Sequence, residues 1–145
     1  MKDSTKLGSR IAIVHNGSAL FREDVGSGET NIRRQMIEND CLECIVCLPL
    51  NIFSNSGIAT YIWILSNQKT VHLPGKVQLI DATEWYGKLR KNFGKKNCEL
   101  RGEDIERITE VFLDFSDADK SQPRYIRITD FDGNRKLIND TFRSL

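Results

Sequence analysis

Apolar positions along this chain fall into short runs of two different periods. Arg10–His15 (RIAIVH) is rich in β-branched residues and ends at Asn16-Gly17, a turn-forming pair, so it predicts a strand. Gly26-Ser27-Gly28 leads into the next segment, with Ser27 placed as an N-cap. From Glu29 to about Asn39, Ile32, Met36 and Ile37 recur at helical spacing. Cys41–Leu48 and Ala59–Ser66 are almost continuously apolar, as in strands covered on both sheet faces, and the first stops before Pro49. Lys76–Asp81 alternates and predicts a fourth strand. Ala82–Phe93 sets Trp85, Leu89 and Phe93 at i, i+4 and i+8, which predicts a helix. Gly102–Phe115 is a clearer amphipathic helix: Ile105, Ile108, Phe112 and Phe115 share one face, and Glu103, Asp104, Glu106 and Glu110 lie away from it. Tyr125–Thr129 is a short candidate strand before the Asp132-Gly133 turn. The order β-α-β-β-β-α-α is a mixed α/β pattern with no internal repeat.

Composition narrows the picture further. A chain of 145 residues is the size of one domain, and 39% hydrophobic with 28% charged residues excludes a disordered or fibrous chain. The formal net charge of +1 removes a whole-chain basic footprint for nucleic acid and leaves only a local patch. The N-terminus is polar, and the apolar runs are too short to span a bilayer, so the expectation is a cytoplasmic protein without a membrane partner.

Little chemistry is visible in single motifs. Cys41, Cys44 and Cys47 form a C-x2-C-x2-C row, and Cys98 stands apart. On a strand, Cys41 and Cys47 would face one way and Cys44 the other, so the row predicts buried reduced thiols and no metal site. A cysteine metal-binding scaffold is the weaker alternative. The glycines supply no phosphate-binding loop, and there is neither a serine nucleophile elbow nor a His-Glu-x-x-His pair. His15, at a strand end, reads as a structural residue. By its residues alone the chain is not a complete enzyme. One patch stands out: Lys88, Arg90, Lys91, Lys95 and Lys96 surround Phe93 and follow Trp85-Tyr86. Such a cluster is suited to DNA phosphates, and a solvated helix face is the competing reading.

Several separated stretches resemble one family. Gly8-Ser9-Arg10-Ile11-Ala12-Ile13-Val14-His15-Asn16-Gly17-Ser18-Ala19-Leu20-Phe21 is similar to a strand and Asn-Gly-x-x-Leu-Phe turn in the modification subunit of type I restriction–modification systems. The resemblance continues through Gly26-Ser27-Gly28-Glu29, Ile32-Arg33-Arg34 and Ile37-Glu38-Asn39-Asp40. It is strongest at Leu48-Pro49-Leu50-Asn51-Ile52-Phe53 and at Gly57–Asn67, and it extends through Gly75–Thr83 to Leu100–Ile105. Beyond Asp117 it is loose.

That family comprises N6-adenine DNA methyltransferases that use S-adenosylmethionine. The resemblance implies the C-terminal portion of a Rossmann-like class I methyltransferase sheet, strands five to seven, followed by C-terminal helices. Arg10–His15 would be strand five, Cys41–Leu48 strand six, and Ala59–Ser66 an antiparallel strand seven inserted between them. Residues 1–98 would belong to the catalytic domain and 99–145 to a helical C-terminal segment and tail. The family's cofactor loop and its Asn-Pro-Pro-aromatic motif lie upstream of these stretches. Prolines stand only at 49, 74 and 123, so the motif is absent from this chain. The resemblance therefore implies no catalytic or cofactor-binding residue here, and a chain that by itself is silent and binds no cofactor.

The base-stacking aromatic of related adenine methyltransferases would correspond to Phe53. The implied partners are DNA, a specificity subunit and a restriction subunit, with the apolar face of Ile105–Phe115 as a candidate subunit interface. The rival reading is an autonomous DNA-binding or subunit-interaction module that uses half a methyltransferase fold.

Overall fold

The structure, a computed structural model, describes residues 8–17, 32, 35–55, 57–69, 75, 77–114 and, as backbone, 125–128. Expectations that fall on Gly26–Glu29, Phe115 and the Asp132-Gly133 turn lie outside the described residues. Seven strands and one helix are labelled here: β1 (Arg10–Asn16), β2 (Leu42–Cys47), β3 (Thr60–Ser66), β4 (Val77–Asp81), β5 (Gly87–Phe93), β6 (Lys96–Glu99), α1 (Gly102–Leu113) and β7 (Tyr125–Ile128).

The described residues build a five-stranded sheet in the order β1-β3-β2-β4-β7 and a separate two-stranded hairpin, β5-β6. β3 is antiparallel to both β1 and β2 and lies between them, and β2 runs parallel to β4. An antiparallel strand inserted between the first two, as the resemblance implies, is thus observed. β7 joins β4 antiparallel.

Every residue of β2 is buried, which explains its unbroken apolar run. Its side chains divide between two clusters. Leu42, Ile45 and Cys47 join Tyr61, Trp63, Leu65, Val77 and Leu79 on one face, where Met36 and Ile37 pack against them. Cys44, Val46 and Leu48 join Ile80, Ala82 and Trp85 on the other, covered by Ile108, Val111 and Phe112 of α1. Two covered faces fit the sequence expectation for β2 and β3. Ile105 is 52% exposed, so the apolar stripe of α1 is used within the chain from Ile108 onward.

One defect in β2 is structural. The β2–β3 register slips between Leu42 and Cys44, which makes Glu43 the extra residue of a β-bulge. The Glu43 side chain has no exposed surface, and Arg10 of β1 meets it with two hydrogen bonds, Nε to Oε2 at 2.7 Å and Nη2 to Oε1 at 2.9 Å. The same guanidinium lies 5.5 Å from the Phe112 ring centroid, so one arginine joins β1, β2 and α1.

The helical turn before β2 ends in a Schellman arrangement. Cys41 N–H donates to the Met36 carbonyl and Asp40 N–H to that of Ile37, with Asp40 at φ 53°. Its carboxylate then accepts from Gly75 N–H at 2.9 Å and pairs with Lys69, fastening the β3–β4 connection to this helix end. At α1, the Asp104 carboxylate accepts from the Arg101 N–H at 2.9 Å, and Glu103 and Asp104 suit the positive end of the helix dipole.

The edge at β1 contrasts with the interior. Ile11 is 43% and Val14 56% exposed, although neighbouring β3 is largely buried. β1 pairs along its whole length with β3 and has no second neighbour among the described residues.

Arg10→Ala leaves a buried carboxylate without its partner and should cost about 3 kcal/mol in urea unfolding, since half of the arginine reaches water. A loss no larger than that of an ordinary surface alanine would refute the role given to this pair. Burial pushes the Cys47 thiol up from 9.0 to about 11, with the Asp81 charge acting in the same direction, and pushes Cys44 and Cys98 upward as well. The folded state therefore holds thiol protons that the unfolded chain releases first. Stability from this source is intact below pH 9 and is lost as pH rises toward 11, so the urea midpoint should fall between pH 8 and 10.5. A midpoint that stays flat over that range would refute it.

Candidate nucleic-acid interface

The segment Ala82–Phe93 is not a helix. Asp81 ends β4 by accepting both the N–H and the hydroxyl of Thr83, at 3.0 and 2.7 Å, and the chain turns through Trp85 into β5. Positions four and eight apart share a face on a strand as well as on a helix, so Trp85, Leu89 and Phe93 fit either element. The glycines decide between them. Gly94 has φ 62° and occupies the first of two loop positions between the paired Phe93 and Lys96, where a type II′ turn needs glycine. Gly87 is buried, and a Cβ there would meet the Arg101 guanidinium at 1.9 Å.

The basic residues therefore decorate a hairpin. Lys88, Arg90 and Lys91 are exposed on β5, Lys95 is exposed in the turn, and Lys96 is half-buried on β6. Tyr86, Lys88, Leu89, Asn92 and Asn97 line a shallow open cleft of about 260 Å3 on the hairpin. Sequence reasoning missed the two asparagines of this cleft. Their signal was available in the strand alternation once Gly94 is read as a turn.

Phe53 lies in the loop between β2 and β3 and is 41% exposed. Asn51 turns this loop with φ 59°, a conformation that asparagine tolerates. The loop rests on the hairpin. Lys95 N–H donates to the Ser54 carbonyl at 3.0 Å, Asn97 N–H to the Asn51 carbonyl at 3.2 Å, and the Cys98 thiol to the Leu50 carbonyl at 3.1 Å. The structure thus brings together two features that the sequence keeps some forty residues apart: the aromatic loop, and the Lys95–Lys96 end of the basic cluster. An exposed aromatic residue in a loop hydrogen-bonded to a lysine-bearing hairpin suits a nucleic acid, whose bases stack while its phosphates attract cations.

The remaining candidates do not join this site. Cys44 and Cys47 belong to clusters on opposite faces of the sheet, and no group of potential metal ligands forms among the described residues. The His15 ring centroid stands 6.0 Å from that of Trp63 across the β1–β3 ladder. No described helix is long and apolar enough to cross a membrane.

Comparison with known proteins identifies the chain's relatives. Residues 1–136 match the N-6 DNA methylase family. The MjaVIII type I restriction enzyme methylase subunit of Methanocaldococcus jannaschii is 31% identical over 127 residues, which cover 88% of this chain and 20% of that protein. The HindI type I methylase subunit of Haemophilus influenzae is 33% identical over 75 residues, covering 52% of this chain and 16% of its own. Among solved structures, the type I restriction-modification methyltransferase subunit from Streptococcus thermophilus superposes with a TM-score of 0.60 at 32% identity, over 77% of this chain and 21% of that one. A modification subunit of a putative type I restriction enzyme from Vibrio vulnificus shares the fold, with a TM-score of 0.57 at 15% identity. The chain spans about a fifth of the length of these relatives. With its α/β sheet and these matches, the chain belongs to the N-6 DNA methylase family, alongside the methylase subunits of type I restriction enzymes.

Proposed function

We propose that this chain forms the target-base side of an adenine-N6 DNA methyltransferase of the type I restriction–modification kind, with S-adenosylmethionine as methyl donor. The carrying observation is the half-exposed Phe53, held by backbone hydrogen bonds against a hairpin that presents Lys95 and Lys96. Phe53 stacks on an adenine turned out of the duplex, and Lys88, Arg90, Lys91, Lys95 and Lys96 contact phosphates nearby. Stacking holds the base by its face, which leaves its exocyclic amine free for the reacting groups. β1, β2 and β3 serve as strands five, six and seven of a longer sheet, a reading supported by the outer edge of β1, which pairs with no strand among the described residues.

The described residues do not fit the methyl donor. Their glycines are all isolated in sequence, and no two prolines of the chain are adjacent. The donor site and the Asn-Pro-Pro-aromatic motif are therefore assigned to other parts of a methylase, and this chain alone transfers no methyl group. A specificity subunit and a restriction subunit are the partners proposed for the whole enzyme. The exposed Ile105 and Leu113 of α1 are the apolar positions left free for such contacts.

Phe53→Ala in a methylase carrying this segment should weaken binding of DNA with 2-aminopurine at the target position about tenfold, the worth of one stacked base. Unchanged affinity and emission would end the stacking assignment. The autonomous DNA-binding reading is tested on the chain alone. If the hairpin lysines meet phosphates, each one removed should flatten the plot of log affinity against log salt by about 0.9 on duplex DNA. Titration calorimetry with S-adenosylmethionine should give no heat of binding; micromolar affinity would show that the donor site lies within these residues.

A further inference from the structure

We infer that the β5–β6 hairpin sets the position of Phe53, with Gly94 as the positioning residue; this rests on Phe53 being the stacking residue. The loop around Phe53 has little packing of its own. Leu50 is 55% exposed, and Ser54 and Asn55 are exposed as well. Three of its carbonyls, those of Leu50, Asn51 and Ser54, accept hydrogen bonds from Cys98, Asn97 and Lys95 of the hairpin. They flank Phe53 on both sides, so the hairpin fixes the backbone from which the ring projects.

Gly94 makes this approach feasible. A Cβ at position 94 would stand 2.7 Å from the Ser54 carbonyl oxygen and 3.6 Å from its carbon, a collision with backbone that no rotamer relieves. The loop would have to retreat, breaking the Lys95-to-Ser54 hydrogen bond and carrying Phe53 with it. Gly75 provides an internal control. It also has a positive φ, 67°, but a Cβ there would meet none of the described residues within 4 Å. Substitution at 75 imposes the backbone strain alone, and substitution at 94 imposes the strain and the collision. Because Lys95 belongs to the same latch, a phosphate contact on the hairpin and a base on Phe53 are registered against each other.

The test uses the 145-residue chain and a short single-stranded oligonucleotide containing one 2-aminopurine. Fluorescence anisotropy reports affinity, emission of the base reports stacking, and amide hydrogen exchange at Lys95 and Asn97 reports the latch. Gly94→Ala should accelerate both amides at least tenfold and remove more than half of the emission change on binding. Affinity should fall by no more than about tenfold, the worth of the stacked base, because the lysines remain. Gly75→Ala should leave the emission change intact. If Gly94→Ala does not fold, Cys98→Val, which deletes one donor, replaces it, and Cys98→Ser should restore the emission change. Wild-type exchange rates and emission in a folded Gly94→Ala chain overturn the latch while leaving the stacking reading in place. If Phe53→Ala keeps the full emission change, or the chain does not bind the oligonucleotide, the stacking reading falls on this chain, and the positioning role falls with it.

Discussion

A carboxylate with no exposed surface sits at the centre of this sheet, and the arrangement around it follows from the need to answer its charge. Glu43 enters the interior at the bulge in β2, next to Cys44, whose side chain belongs to the cluster under α1. Its partner comes from the outermost strand of that side, reaching across β3. The Arg10 guanidinium also lies over the Phe112 ring, so helix, central strand and edge strand meet at one ion pair. A hydrophobic residue at position 43 would fit the surrounding core chemistry equally well. What the ion pair adds is register, since only one alignment of β1 on β3 brings Arg10 to Glu43.

The interface at the other end of the sheet is built differently. No buried charge organises it; backbone groups do. β2 ends at Cys47, the chain passes through Leu48 and Pro49, and the following loop is hydrogen-bonded through its backbone to Lys95 and Asn97 of the hairpin. Aromatic and basic residues thus come together through main-chain hydrogen bonds, which depend on shape more than on side-chain identity. Arg107, stacked 4.3 Å over the Trp85 ring, ties α1 to the chain where it enters the hairpin.

Much of the sheet was legible because burial writes itself into composition. β2 and β3 are covered on both faces, and their apolar runs say so; α1 carries its stripe from Ile108 to Phe112. The insertion of β3 between β1 and β2 was not in any periodicity and came from the family resemblance. The hairpin was misread for a definite reason: Trp85, Leu89 and Phe93 are spaced so that a helix and a strand share the same prediction, and the turn glycine lies just beyond them. Glu43 gave no warning either, since one acidic residue inside an apolar run reads as an exposed position unless its partner, 33 residues away, is known. The contact between the Phe53 loop and the hairpin is longer in range still, and it is made by backbone atoms that every sequence possesses.

β1 holds seven residues in unbroken register with β3, and between Ile11 and His15 it has no charge, no proline and no bulge. Those are the devices by which proteins normally keep a sheet margin from being extended by another molecule. Among the described residues no strand pairs with the outer side of β1. A strand from another molecule could therefore lengthen this sheet at β1 without rearranging its backbone.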